Sequence, residues 1–409
     1  MKEKAMFLAG EWYYPAILLV YVLSLISLDL IHPGVFSAVF MLIFWASLAV
    51  FAVNKRDMIK DIFKKAPAVD VIMCLWLLYN ILSGIWTVLG SKMPVSVYLG
   101  ELFTTALPMG FYFLGRFSEK RDTFHRNFVL AVAAIGILGI VLYITAPQFY
   151  INYLFRLEYV SLPDAPTMRV RMHSVIGSTL MGFLSAAAML SAAHFFIESE
   201  GKKGKIIFFF CAFLAFFSNQ RAAMVAAIVI VLYMNYLVFF TFDMLPKKYF
   251  AVECSILAAG FFGLLILFRG AFAKVYARLV SLPGAIGQRS DQWVGAANNM
   301  FSKWLGNGLG ANGHRAIGYT KHLIADGGLA KLYVEMGIIG TSLFVFLMLL
   351  VLKKGFKNLK ASAPEVGVII VTLLISIGSN MMSFALAVPV FYYAIGAIAK
   401  EAERGEIDS

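Results

Sequence analysis

Long apolar runs, each bounded by charge or by Pro and Gly, recur along the whole 409-residue chain. A helix needs roughly 20 apolar residues to cross the hydrocarbon core of a bilayer, and these runs approach that length. They lie near 15–31, 35–53, 68–88, 95–115, 127–146, 174–197, 205–219, 221–241, 249–268, 329–351, 363–380 and 382–399. The pattern predicts an all-α membrane protein of about twelve transmembrane helices, organised as a single polytopic domain over 1–409. The tightest connection is at 219–221, where two runs almost touch.

Two connections are too long to be turns, at roughly 147–173 and 269–328. Within the second, two stretches show one apolar face at helical spacing. In one, Phe272, Val275, Tyr276 and Leu279 fall together; in the other, Trp293, Ala297, Met300 and Trp304 do. Apolar-aromatic faces flanked by cations suit a membrane interface, so this large loop is expected to carry short amphipathic helices lying on the bilayer.

Composition agrees with the pattern. Hydrophobic residues make up 61% and charged residues 14%, with a mean hydropathy of +0.80. Soluble domains run at roughly 45–50% apolar and about 25% charged. The net charge of +12 does not point to nucleic acid, because many of the Lys and Arg sit in short clusters between apolar runs. Those clusters are Lys55–Lys65, Lys120–Arg126, Lys202–Lys205, Lys247–Lys248 and Lys353–Lys360. With twelve spans they all fall on one side together with both termini, and the positive-inside rule makes that side the cytoplasm. The basic tip MKEK precedes no small-residue cleavage site, so the first apolar run reads as an uncleaved span. Cys74, Cys211 and Cys254 fall inside apolar runs without metal or redox spacing.

The two long connections break the charge rule, being basic on the far side. The first holds Arg156, Arg169 and Arg171; the second holds Arg269, Lys274, Arg278, Arg289, Lys303, Arg315 and Lys321 against Asp291 and Asp326. Long loops can translocate regardless of charge, and an external anion site is the alternative. GNGLGANG at 306–313 is neither of the usual phosphate-loop patterns. Its glycines are expected to serve a tight backbone after the loop helix. No HExxH, no Cys/His cluster and no defensible Ser-His-Asp order is present, so metal chemistry has no support in the sequence.

The ordered set RMHSVIGSTLMG from Arg171, FSNQRAAM around Arg221, GQRSDQW around Arg289, and Trp304 to Gly340 ending in Glu335, Gly337 and Gly340 resembles one family. It is similar to the superfamily of O-antigen ligases and Wzy-type polysaccharide polymerases, multi-spanning glycosyltransferases of the GT-C kind. The resemblance covers roughly 171–340. Ligases of that family carry a His shortly before the last Gly-x-x-Gly; here the place reads Asp326-Gly327-Gly328, with His322 four residues earlier. The stretch also looks like the corresponding part of the SEDS peptidoglycan polymerases, which use an Asp there, and this tilts the reading toward polymerase.

The resemblance implies joining of undecaprenyl-diphosphate-linked oligosaccharide repeat units at the periplasmic face of the bacterial inner membrane. It implies no cofactor, contact with membrane lipids and a chain-length regulator as a partner. Ligation of finished polymer to a lipid A core is the alternative, and a flippase of lipid-linked glycan is a further one. Arg221, Arg289 and Arg171, with Arg169 competing, become candidates for the diphosphate, whose oxygens a guanidinium fork fits. Asp326, then His322, becomes the candidate base for the acceptor hydroxyl. Arg221 also reads as a snorkelling anchor, and Asp326 as a plain helix N-cap. Glu335 could pair with a site cation or be structural. Glu101, mid-span, is expected to satisfy a partner inside the bundle, and His173 and His314 are expected to be loop residues.

Overall fold

The computed structural model describes residues 10–25, 31–56, 67–146, 148, 171–198, 201–267, 280 and 282–407. Among them the chain forms helices and turns, with no strand. In chain order these are α1 (Tyr13–Leu23), α2 (Pro33–Asn54), α3 (Ala68–Val88), α4 (Val95–Phe117), α5 (Arg121–Thr145), α6 (Ser178–Glu198) and α7 (Gly201–Phe217). They continue with α8 (Arg221–Thr241), α9 (Phe250–Leu267), α10 (Leu282–Asn298), α11 (Gly328–Lys357), α12 (Leu359–Gly378) and α13 (Val388–Ile407). Within the described residues, each of the twelve apolar runs overlaps one of these helices. Eight are long and apolar enough to cross a membrane: α2, α3, α4, α5, α6, α8, α11 and α12. The other four are α1, of 11 residues, α7, of 17, α9, and α13, whose last turns carry Lys400, Glu401, Glu403 and Arg404.

The centre of the bundle is α6, whose sequence STLMGFLSAAAMLSAAHFFIE is rich in small residues. Small side chains let helix backbones approach closely, which is the main source of attraction once lipid replaces water. Ala186, Ala187, Ala188, Ala192 and Ala193 are all at most 1% exposed. The same device joins α4 to α13: a Cβ on Gly115 would meet Tyr393 O at 2.1 Å, and one on Gly396 would meet Tyr112 O at 2.0 Å. By contrast α2 stands at the rim, with Val39, Leu42, Ile43 and Val50 exposed as a lipid-facing surface requires.

The bundle has two unlike ends. At one, Arg121 holds Glu365 through two bonds of 2.6 Å, and His125 reaches the same carboxylate at 3.0 Å. Nearby, Arg116 pairs with Asp70 at 3.1 Å and with Glu403, while Lys120 faces Glu11. Lys400 donates to the carbonyl of Ser118. Glu11, near the described start of the chain, and Glu403, near its described end, therefore both lie at this end. Described members of the basic clusters lie here too: Phe51, one turn before Lys55, packs on Phe117; Lys205 lies over Phe196; and Gly355, beside Lys353 and Lys354, abuts Val366.

Candidate functional site: the loop end of the bundle

Hydrogen bonds between helix ends define the opposite pole. Gln220, just before α8, donates to Ser178 and Thr179 at the start of α6 (3.2 and 2.6 Å). Further along α8, Tyr233 donates to the carbonyl of Ala363 near the start of α12. Helices α8 and α12 thus run antiparallel, and Gly378 at the end of α12 returns to the level of Arg221. There the carbonyl of Ser379 takes the N–H of Gly328, which opens α11. This is the loop end.

Part of the 269–328 loop enters the bundle. Residues 306–313 thread into the bundle, with Leu309 and Ala311 each 1% exposed. They enter a break in α11 at Gly337, whose φ of 63° and ψ of −168° lie outside the helical region. The break leaves helix N–H and C=O groups without intrahelical partners, and the loop supplies them. Ile338 and Ile339 donate to the carbonyls of Lys303 and Trp304 (2.9 and 3.1 Å), while Asn307 and Gly308 donate to those of Val334 and Glu335 (2.9 and 2.8 Å). The Tyr79 hydroxyl caps the carbonyl of Met336 at 2.7 Å.

Only glycine fits the junction. A Cβ on Gly337 would meet Gly306 N and Trp304 O at 2.4 Å, and one on Gly306 would meet Glu335 O at 2.3 Å. The expectation of a tight backbone at GNGLGANG is met, and its counterpart is the Glu335-Met336-Gly337 turn. The amphipathic reading needs correction. Trp293, Ala297 and Met300 pack against Ala296, Ile324 and Val334, so that face serves the protein itself. Trp304 leaves the stripe, 63% exposed, because α10 has already ended at Asn298. The face of Phe272, Val275, Tyr276 and Leu279 lies outside the described residues.

Beneath the threaded loop sits a buried charge cluster. Lys331, 4% exposed, donates to Glu101 and, at 2.6 Å, to the Ser383 hydroxyl; its ammonium is 3.4 Å from Glu335. Arg315 adds a second cation 3.8 Å from Glu101. Glu335 also accepts the N–H of Asn312 at 3.0 Å. Two acids thus face two bases, which is how ionised groups are tolerated at low dielectric. The backbone accommodates Glu101 by switching from α to π winding directly after it, over Leu102–Ala106. Glu101 has the bundle partner expected of it, and Glu335 combines the cation contact with a structural bond. Lys331 was missed by the sequence reading, although a Lys and a Glu four residues apart on an apolar helix share a face.

The other candidates fall as follows. Arg289 and Asp326 are joined by an ion pair of 2.7 Å, 31% and 45% exposed, and Trp293 Nε1 donates to the Asp326 carbonyl. Asp326 is not the N-cap of α11; that residue is Gly327, with a φ of 115°. His322 is held by its backbone, its carbonyl accepting from Asn312 and its N–H donating to Thr320, with no bond to Asp326. Arg171 borders a cavity of about 20 Å³ with Tyr143, His173 and Ser174, and Met172 beside it donates to the carbonyl of Phe217. His173 caps α6 by accepting the Ser178 N–H at 3.2 Å. Arg221 is the first residue of α8, part-exposed, and makes no ion pair among the described residues. Arg169 lies outside the described residues, as does the 147–173 loop except residues 148 and 171–173.

Fold and site together define a multi-helix α-protein of the membrane type, with a cationic, glycine-threaded loop packed into one end. No protein-family model and no curated protein matches the chain.

Proposed function

We propose that this protein is a membrane glycosyltransferase that polymerises O-antigen-like repeat units carried on undecaprenyl diphosphate. In this reading the twelve apolar helices all span the bacterial inner membrane. The end bearing Lys55, Lys120 and Lys353 faces the cytoplasm with both termini, and the loop end faces the periplasm. The observation that supports the proposal is that Arg171, Arg221 and the Arg289–Asp326 pair, far apart in sequence, all lie at the loop end of the bundle.

The chemistry follows from those groups. The acceptor hydroxyl oxygen bonds to the anomeric carbon of the donor sugar, the carbon–oxygen bond to the diphosphate breaks, and the hydroxyl proton passes to Asp326. The departing diphosphate gathers charge, which fixed guanidinium groups stabilise best. Arg221, which makes no ion pair among the described residues, would bind it. Arg289 must first leave Asp326, so diphosphate binding would release the base at the moment a donor is present. A donor-free enzyme would keep its carboxylate neutralised.

The deciding experiment is a gel of lipopolysaccharide from a strain lacking this protein, complemented by wild type or variants. A core bearing a single repeat in the deletion supports the polymerase. A bare core, with polymer left on the carrier lipid, shifts the assignment to ligase. A normal ladder overturns both.

A further inference from the structure

Asn80, in α3, is 1% exposed, and its Nδ2 donates to the carbonyl of Trp76 at 2.8 Å. That bond fixes which way the amide faces. Its Oδ1 is then sealed from solvent with no hydrogen-bond donor. Tyr392, in α13, is 2% exposed, and its hydroxyl accepts from Trp76 Nε1 at 2.8 Å. The hydroxyl's own hydrogen has no acceptor among the described residues. Both side chains line one cavity of about 30 Å³, together with Thr105, Lys331, Glu335 and Ser383. Burying an unmatched polar atom is unfavourable, so two lining the same cavity call for a shared partner.

We propose that this cavity is a built site for internal water, holding one or two molecules between Asn80, Tyr392 and Glu335. Its size allows this, since one water needs about 10–15 Å³ of such space. The lining selects the chemistry. A bare cation would suit Asn80 Oδ1 but would face the Lys331 ammonium and the Tyr392 hydrogen. An anion would suit those two but would face Asn80 Oδ1 and the Glu335 carboxylate. Water alone accepts from Tyr392 while donating to Asn80 and to Glu335. By solvating Glu335, it steadies the carboxylate that holds Asn312 and hence the threaded loop. The site stands whether or not the protein is a glycosyltransferase.

Two measurements on the full-length protein in detergent or nanodiscs test it. In an experimental structure that resolves ordered solvent, a water peak should lie within hydrogen-bond reach of both Asn80 Oδ1 and the Tyr392 hydroxyl. An empty cavity, or a protein atom bonded to Asn80 Oδ1, overturns the proposal. Separately, Asn80→Leu and Tyr392→Phe should each lower the thermal unfolding midpoint, and the double variant should lose clearly less than the two losses added. Additive losses overturn the shared water. Wild-type midpoints should also be equal in sodium, potassium and choline chloride of matched ionic strength; a rise specific to one ion reassigns the cavity to that cation.

Discussion

Lys331 shows how much depends on a single side chain at the loop end. Its ammonium lies within reach of two carboxylates that are each under 5% exposed. Removing one partner of a buried ion pair typically costs about 3–5 kcal/mol, because the other charge stays buried. Lys331→Met should therefore lower the unfolding midpoint sharply, and Lys331→Met combined with Glu101→Gln should recover part of the loss. Thermal melts of the purified variants check both. The arginines behave differently, being nearer the surface. Arg221→Ala and Arg289→Ala should leave accumulation in the membrane near wild type while cutting polymer formation roughly 100-fold or more, read as loss of the lipopolysaccharide ladder. Asp326→Asn should abolish the ladder and His322→Ala should retain some; the opposite result moves the base to His322.

Among the elements, the broken helix α11 and the stretch of loop inserted into it form one unit. The sequence announced both halves, as GNGLGANG and as Glu335-Met336-Gly337, without showing that they interlock. Gly337→Ala must adopt a left-handed φ, a cost of about 1–3 kcal/mol, and must also push Trp304 and Gly306 apart. It should destabilise the protein more than Gly318→Ala, where φ is also positive at 83° but an added Cβ meets nothing within 4 Å. Comparing their unfolding midpoints checks this. The amphipathic stripe was legible along α10 and on to Met300, just past its end, and failed at Trp304, because periodicity cannot see where a helix stops. Twelve apolar runs were equally legible as helices, since apolar length is a local property.

For the molecule as a whole, the two ends carry different chemistry, and the proposed orientation rests on that difference. Single cysteines in a cysteine-free background give the measurement. One placed at Lys55 should react with membrane-impermeant maleimide only in inverted vesicles, and one placed at Ile317, 61% exposed, only in intact spheroplasts. Labelling of both from the same side would refute the proposed topology. The sequence alone settled that the chain is helical and apolar beyond what water tolerates, and that its cations cluster between runs. Those are properties of short segments, and hydrophobic length and local charge are written there directly. Tertiary structure alone decided that Arg289 meets Asp326, that Lys331 lies between Glu101 and Glu335, and that the long loop enters the bundle. Each of these joins segments distant in the chain, where pairing depends on how helix ends pack and which buried polar groups are left to satisfy one another.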